Sequence, residues 1–430
     1  MVEALSWKPR PVLEMHSVGV LWRSISENPN RRQTHVLNSH QPHHKVPDMT
    51  RRSVIVFIAG SPWDGVPGTD VNLARALSQH IDVLWVEPPR PLTEFVRSRR
   101  PPPKRVRLLG DRLWQLNTVS PPGVSRPVIR SVAAAQASFQ VRRTVARLDF
   151  DVVAAILASP EAVFPRGLAG ERIYYVTDDW IAGSKLMGIG EARIAALQTK
   201  NLSAATSVFA VSPVLVETLS AKAPNRTVRL LPNGCNTGLY KYTSGFLPAD
   251  APREPYAVFA GKINERIDID VLSRIVEIGV PLVLVGPRRD RDPRIRDQIN
   301  NLVSDPSVTW VGQKSAEDTA LYIANAAVGL TPYRIDEFNV ASFPLKTLDY
   351  LAAGIPAIST ALPAARLMAT DLITIAENSS DFVSRTVEFC QLGHNSSQLA
   401  PERRRFAQTH DWDARAVQLL GVIRGIHSKP

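Results

Sequence analysis

From Ser53 onward, apolar and polar positions come in blocks. Val54-Ile55-Val56-Phe57-Ile58-Ala59 is apolar without interruption, the pattern of a strand covered on both faces of a parallel sheet. A loop of small residues follows, Gly60 to Gly68. Helical spacing then runs over Asp70–Gln79, with Thr69 or Asp70 available as its N-cap. Val83–Val86 reads as the next strand. Others fall at Val152–Leu157, Ile173–Val176, Ser207–Val211 and Thr227–Leu231, with helices between them. After Pro232-Asn233-Gly234 the rhythm breaks. Residues 241–255 carry Gly245, Pro248, Pro252 and Pro255 and read as an interdomain linker. Strands resume at Tyr256–Gly261, Leu282–Val285, Val308–Val311, Val328–Leu330 and Ala357–Thr360, and a polar helix closes the chain. The prediction is an α/β protein of two open, doubly wound sheets, with a binding cleft where their strand-end loops meet. Residues 1–50 show no sustained period and read as a disordered tail. Met49 stands directly before the first strand and is a second candidate for the translation start. His40, His43 and His44 are candidate metal ligands, a use disfavoured in an unstructured segment.

At 430 residues the chain can fill two cores. No run approaches the ~18 apolar residues of a membrane-crossing helix, and the N-terminus lacks the layout of a signal peptide. Cys235 and Cys390 alone offer neither a disulfide framework nor zinc spacing, which suits a reducing cytoplasm. The net charge of +11 is uneven. Arg90, Arg97, Arg99, Arg100, Lys104, Arg105, Arg107 and Arg112 crowd a Pro-rich stretch whose acids are Glu94 and Asp111. A basic loop of this kind suits nucleic acid, an anionic membrane leaflet, or plain solvation. Phe95 is the only aromatic in its densest part, which disfavours base stacking and leaves the membrane surface as the preferred partner.

Four segments bear on chemistry. Phe343-Pro344-Leu345-Lys346-Thr347-Leu348-Asp349-Tyr350-Leu351-Ala352-Ala353-Gly354 is a Pro turn entering a helix that stops at Gly. Its free N–H groups and Lys346 suit an anion, and Asp349, one turn on, suits sugar hydroxyls. Together they fit a nucleoside diphosphate; an ordinary βα unit has the same spacing. Gly65 and Gly68 precede the first helix, where small residues admit a ligand or merely a tight turn. Pro67 and a missing third Gly exclude the dinucleotide fingerprint. Gly261-Lys262-Ile263-Asn264-Glu265-Arg266 puts two cations on one post-strand loop, as a pyrophosphate clamp or as surface charge. Tyr174 to Trp180 ends a strand in Asp178 and Asp179, which suit acceptor hydroxyls, a general base, or helix capping.

Taken in chain order, the Gly65–Gly68 loop, Pro232-Asn233-Gly234, Gly261…Arg266, Val311-Gly312 and Pro344…Gly354, with the closing Phe406-Ala407…Asp411-Trp412, resemble glycosyltransferase family 4. The likeness covers roughly residues 53–425 and is greatest to the bacterial surface-polysaccharide, teichuronic-acid-type branch. The resemblance implies a GT-B fold: two Rossmann-like, doubly wound domains facing across a cleft. An acceptor domain would span 51–245, a donor domain 246–410, and a helix over 411–430 would cross back to the first. It further implies transfer of a hexosyl group from a UDP- or GDP-sugar to a glycan or lipid-linked acceptor, with retention and without metal or other cofactor. Carried over by position, Gly68, Lys262, Arg266, Gly312, Pro344, Leu345, Lys346 and Asp349 would hold the donor. Asp178 and Asp179 would hold the acceptor, and Asp179 and Lys346 would be catalytic. Two departures stand out. Ala341 occupies the place of the first of two family glutamates, with Asp349 at the second, and Ser159-Pro160-Glu161 replaces a usual His. These departures motivate a second reading, a catalytically silent nucleotide- or glycan-binding protein of the same fold. A nucleotide-sugar epimerase ranks lower, since its acidic and His residues are not evident.

Overall fold

The computed structural model describes residues 51–98, 103–123, 126–241, 243, 246–393 and 398–425. The expected tail, with its histidines and Met49, lies outside the described residues. Two large sheets carry the fold. The first has eight strands in the order Val228–Leu230, Ser207–Ala210, Glu171–Val176, Phe150–Ala158, Arg52–Ala59, Asp82–Val86, Leu113–Leu116 and Val106–Gly110. Its pairings are parallel except the last, where Val106–Gly110 runs antiparallel to its neighbour. The second has six parallel strands: Val308–Gly312, Leu282–Val285, Ala257–Ala260, Val328–Thr331, Ala357–Thr360 and Ile373–Ala376. The uninterrupted apolar runs lie where parallel strands are covered on both faces. Val54 to Phe57, Val83 to Trp85, Ala257 to Phe259 and Leu282 to Leu284 are all fully buried.

Each sheet has one place where successive crossovers leave in opposite directions, and ligand loops of doubly wound sheets gather there. In the first sheet it lies between Arg52–Ala59 and Phe150–Ala158. In the second it lies between Ala257–Ala260 and Val328–Thr331.

Three local expectations need correction. The basic stretch is not one loop: Leu92–Ser98 is a helix, and Val106–Gly110 with Leu113–Leu116 forms a hairpin on the sheet edge. Ile373–Ala376 adds a further strand beyond Ala357–Thr360. The first helix spans Thr69–Ser78, and neither Thr69 nor Asp70 caps it. The N-cap position is Gly68. The Thr69 hydroxyl instead donates to Asn233 Oδ1 at 2.8 Å, and Asp70 Oδ2 accepts from the Ser61 amide and hydroxyl.

The chain passes between the two sheets at Pro232–Thr237 and again at Thr409–Trp412, and the two crossings are bonded to each other. Cys235 N donates to His410 O at 3.0 Å, Trp412 N donates to Cys235 O at 3.1 Å, and Asp411 Oδ2 accepts from the Thr237 amide and hydroxyl. They run so close that a Cβ on Gly234 would stand 2.8 Å from the His410 carbonyl oxygen. The closing helix Trp412–Ile423 then packs on Thr69–Ser78.

Candidate functional site

The loops after strands Ala257–Ala260 and Val328–Thr331 flank the switch point of the second sheet, and helix Leu345–Ala353 starts beside them. Three glycines clear the ground. Gly261, Gly286 and Gly312 end neighbouring strands with φ of +148°, +141° and +70°. Gly261 N donates to Val285 O and Gly286 N to Gly312 O, so the strand ends are laced together. A Cβ on Gly286 would run into the Gly261 carbonyl, whereas one on Gly312 would meet nothing within 4 Å. Gly312 therefore borders open space.

Lys346 is the central side chain. It leaves the second position of the helix, is only 8% exposed, and lies between the rings of Phe259 and Tyr333, 4.6 and 4.4 Å from their centroids. Its ammonium donates to the Tyr333 hydroxyl. A Cβ on Gly261 would sit 3.0 Å from Lys346 Nζ, so the glycine makes room for the amine. Among the described residues no carboxylate pairs with this ammonium. Burial pulls its pKa below that of an ordinary lysine, with Tyr333 opposing. Burial alone would raise the Tyr333 phenol, but the charges of Lys346 and Arg266 carry it lower than usual. A desolvated cation lacking an anion is costly, of order several kcal/mol, and such costs concentrate where a ligand supplies the missing charge.

Arg266 flanks the same tyrosine from the other side. Its guanidinium lies 4.8 Å from the Tyr333 ring centroid and 4.7 Å from that of Phe338, and its Nε donates to Asn339 Oδ1 at 2.9 Å. Asn339 Nδ2 returns a bond to Arg266 O at 3.1 Å, which fixes the loop. Lys262, at the loop's start, is exposed.

Helix Leu345–Ala353 opens at Pro344 with no side-chain cap, so its first amides remain available as donors. The segment ahead of it is pinned from the first sheet. Asn233 Nδ2 donates to Phe343 O at 2.7 Å while its Oδ1 accepts from Thr69, next to Gly68. Ser212 Oγ donates to the Ala341 carbonyl at 2.6 Å, and Ala341 is buried, with only a methyl to offer. Asp349 follows one turn after Lys346. Burial pushes its carboxyl up to about 7, with Lys346 opposing. At the other end of the helix, Arg403 Nη1 donates to Gly354 O at 3.2 Å and Arg404 Nη2 to Ala353 O at 3.0 Å.

From the first sheet, Asp178 and Asp179 sit at the end of Glu171–Val176 and differ in use. Asp179 Oδ1 accepts from the Ile181 and Ala182 amides, each at 3.1 Å, and closes the turn. Among the described residues Asp178's carboxyl has no hydrogen-bond partner. It is pushed up by burial, against the fields of Arg266 and Lys262 from the second sheet. Gly183, in the same turn, packs so tightly on Phe338 that no Cβ fits. Ser159, in the place of the expected His, accepts from the Glu161 and Ala162 amides at 3.3 Å, and Glu161 pairs with Arg193 at 2.8 Å.

The structure thus gathers Lys346 and Arg266 about Tyr333 at the Pro344 helix start, with Asp349 one turn on, and sets Asp178 of the first sheet in the fields of Arg266 and Lys262. Sequence reasoning overlooked Tyr333, Phe259 and Asn339, and met Asn233 only as part of Pro232-Asn233-Gly234. Tyr333 alone had a usable signal, since it closely follows a strand at the switch point. Among the described residues no group of three or more His, Cys, Asp or Glu could hold a metal ion, and no helix is long and apolar enough to cross a membrane.

Comparison with known proteins agrees with the fold. Residues 254–391 match the family described as glycosyl transferases group 1. A stretch of 119 residues is 30% identical to a Bacillus subtilis (strain 168) protein named as a teichuronic acid biosynthesis glycosyltransferase, TuaH. That stretch covers 27% of this chain and 30% of the relative's length. Among solved structures, sucrose-phosphate synthase from Thermosynechococcus elongatus superposes with a TM-score of 0.67 at 18% identity, over 87% of this chain and 99% of that one. An Escherichia coli trehalose-6-phosphate structure bound with UDP-2-fluoro glucose gives 0.63 at 9%, over 87% and 99%. Anabaena Alr3699/HepE in complex with UDP and glucose gives 0.59 at 13%, over 86% and 99%. The chain has the GT-B fold, and the part of it that matches the glycosyl transferases group 1 family is residues 254–391.

Proposed function

We propose that this protein transfers a hexosyl group from a UDP- or GDP-sugar to an acceptor hydroxyl in cell-surface glycan or glycolipid synthesis. The observation that carries the proposal is the buried ammonium of Lys346, held without a carboxylate at an uncapped helix start. A diphosphate placed there would accept from the first amides of Leu345–Ala353 and from Lys346. Arg266 and Lys262 would flank it, and the nucleobase would lie toward Gly312. Asp349 would accept from ribose hydroxyls in its ionised form. When the sugar–phosphate bond breaks, negative charge grows on the departing diphosphate, and cations already held in place, the buried Lys346 and Arg266 braced by Asn339, would stabilise it with little reorganisation. This arrangement supports a metal-independent reaction, and retention of configuration belongs to the same reading. On the facing side Asp178, without a hydrogen-bond partner of its own among the described residues, would receive an acceptor hydroxyl, and Asp179 holds the turn that carries it. The protein would work in the cytoplasm, in peripheral contact with an anionic membrane through Arg90–Arg112.

The test is donor hydrolysis and transfer by purified protein with UDP- and GDP-sugars, beside calorimetry with the free nucleotides. Lys262→Ala and Arg266→Ala should each weaken donor binding by more than about 1 kcal/mol. Unchanged affinity in both would remove the clamp. The buried methyl of Ala341 favours one other reading, a silent GT-B binding protein, which nucleotide binding without turnover on any acceptor extract would support.

A further inference from the structure

We propose that the outward faces of helices Leu92–Ser98 and Pro127–Arg147 form one docking surface for an anionic lipid bilayer. In Pro127–Arg147 the usual polarity is inverted. Ser138, Gln140 and Thr144 are turned inward and buried, while Val128, Val132 and Phe139 are 77%, 55% and 52% exposed. With the exposed Ala135 they recur at intervals of four, three and four residues. At 3.6 residues per turn these four lie within about 60° of one another around the axis. A helix lying on a protein surface ordinarily turns such residues toward the core.

The short helix adds Leu92 and Val96, one turn apart and 45% and 77% exposed. The two surfaces belong together because Arg90–Pro91, just before one helix, pairs with Val119–Ser120, shortly before the other. Exposed apolar groups gathered in this way mark an interaction site.

Charge decides what the surface meets. Every ionisable side chain from Arg112 to Leu148 is an arginine. Arg143 and Arg147 stand exposed at the end of the apolar stripe, and Arg97, Lys104 and Arg105 are exposed near the short helix. A second copy of the chain would bring arginines against arginines. An anionic leaflet offers hydrocarbon for the stripe and phosphates for its rim. The inference extends the membrane contact proposed for Arg90–Arg112 from a basic stretch to an apolar surface, and it needs no catalytic step.

Cosedimentation of the full chain with vesicles tests it. Binding is expected to mixed phosphatidylcholine–phosphatidylglycerol vesicles, weakening as salt rises, and not to phosphatidylcholine alone. Val132→Ser with Phe139→Ser should reduce it roughly tenfold or more at an unchanged melting temperature. Arg143→Gln with Arg147→Gln should flatten the salt dependence. The proposal is overturned if the wild-type chain stays in the supernatant with both vesicle types. It is equally overturned if the Val132/Phe139 variant binds like wild type, or if it abolishes a dimer seen by analytical ultracentrifugation instead. UDP and GDP calorimetry on the same variants separates this result from the donor-site reading, since neither substitution touches the cleft.

Discussion

Replacing Lys346 by Met tests the site where structure and function make opposite demands. Met keeps an unbranched apolar stem between the Phe259 and Tyr333 rings but removes the charge and its N–H donors. The ammonium has been taken out of water and given one phenol and two ring faces in return. Its removal therefore relieves a desolvation cost and loses one hydrogen bond and two cation–π contacts, the latter about 0.5–2 kcal/mol each. The two sides nearly cancel, so the melting temperature should move by no more than about 3 °C in either direction. With diphosphate bound the balance differs. A charge-assisted bond to phosphate contributes about 1.5–3 kcal/mol, so UDP or GDP affinity should fall roughly 10- to 150-fold. Calorimetry reads the affinity and differential scanning fluorimetry the melting temperature. Nucleotide affinity within twofold of wild type, in a variant of normal stability, would refute the placement of the diphosphate at Lys346.

Three further outcomes follow from the same geometry. Asp349 is pushed up from 3.8 to about 7 by burial, so wild-type stability is lost as pH rises from about 4 to 7 and is level above. Asp349→Asn removes that loss and should melt higher than wild type at pH 8 but not at pH 4; nucleotide affinity of the wild type should drop as pH falls through 7, and a flat affinity profile would contradict the ribose role. Arg266→Ala loses its bond to Asn339 and both ring contacts, so it should lower nucleotide affinity and, unlike the Lys346 variant, also cost about 1–2 kcal/mol of stability, read as a shift in denaturant midpoint. Asn233→Ala leaves the buried Phe343 carbonyl without its donor; a loss of about 1–3 kcal/mol is expected in denaturant unfolding, and no loss would show that Thr69 and Phe343 find other partners.

Much of the sheet framework was legible because parallel strands buried on both faces leave unbroken apolar runs, as Val54–Ala59 and Leu282–Val285 do. The Val106–Leu116 hairpin was not. Arg107 and Leu108 are both exposed, so one strand of the pair keeps neither an apolar run nor a clean alternation. Lys346 and the Gly261–Arg266 loop could be found because their motif sits at strand ends. Tyr333 belongs to no motif and is marked only by its place soon after a switch-point strand; its role arises from Lys346 and Arg266 converging on one ring from separate elements. Asp178 and Asp179 are neighbours of identical chemistry, and only the turn at Ile181–Ala182 distinguishes the capping carboxylate from the one facing the basic loop.

The paired crossings at Cys235 and His410–Trp412 also have a mechanical meaning. One strand joining two bodies permits bending in two directions and twisting; two strands bonded side by side resist twist and shear, and leave bending about the line through both as the soft direction. Opening and closing of the cleft would then follow a single arc, carrying Asp178 toward or away from Lys262 and Arg266 without sliding one wall past the other. Because Gly234 allows the crossings to touch, a larger side chain there would push the two strands apart and loosen the pairing that couples the sheets.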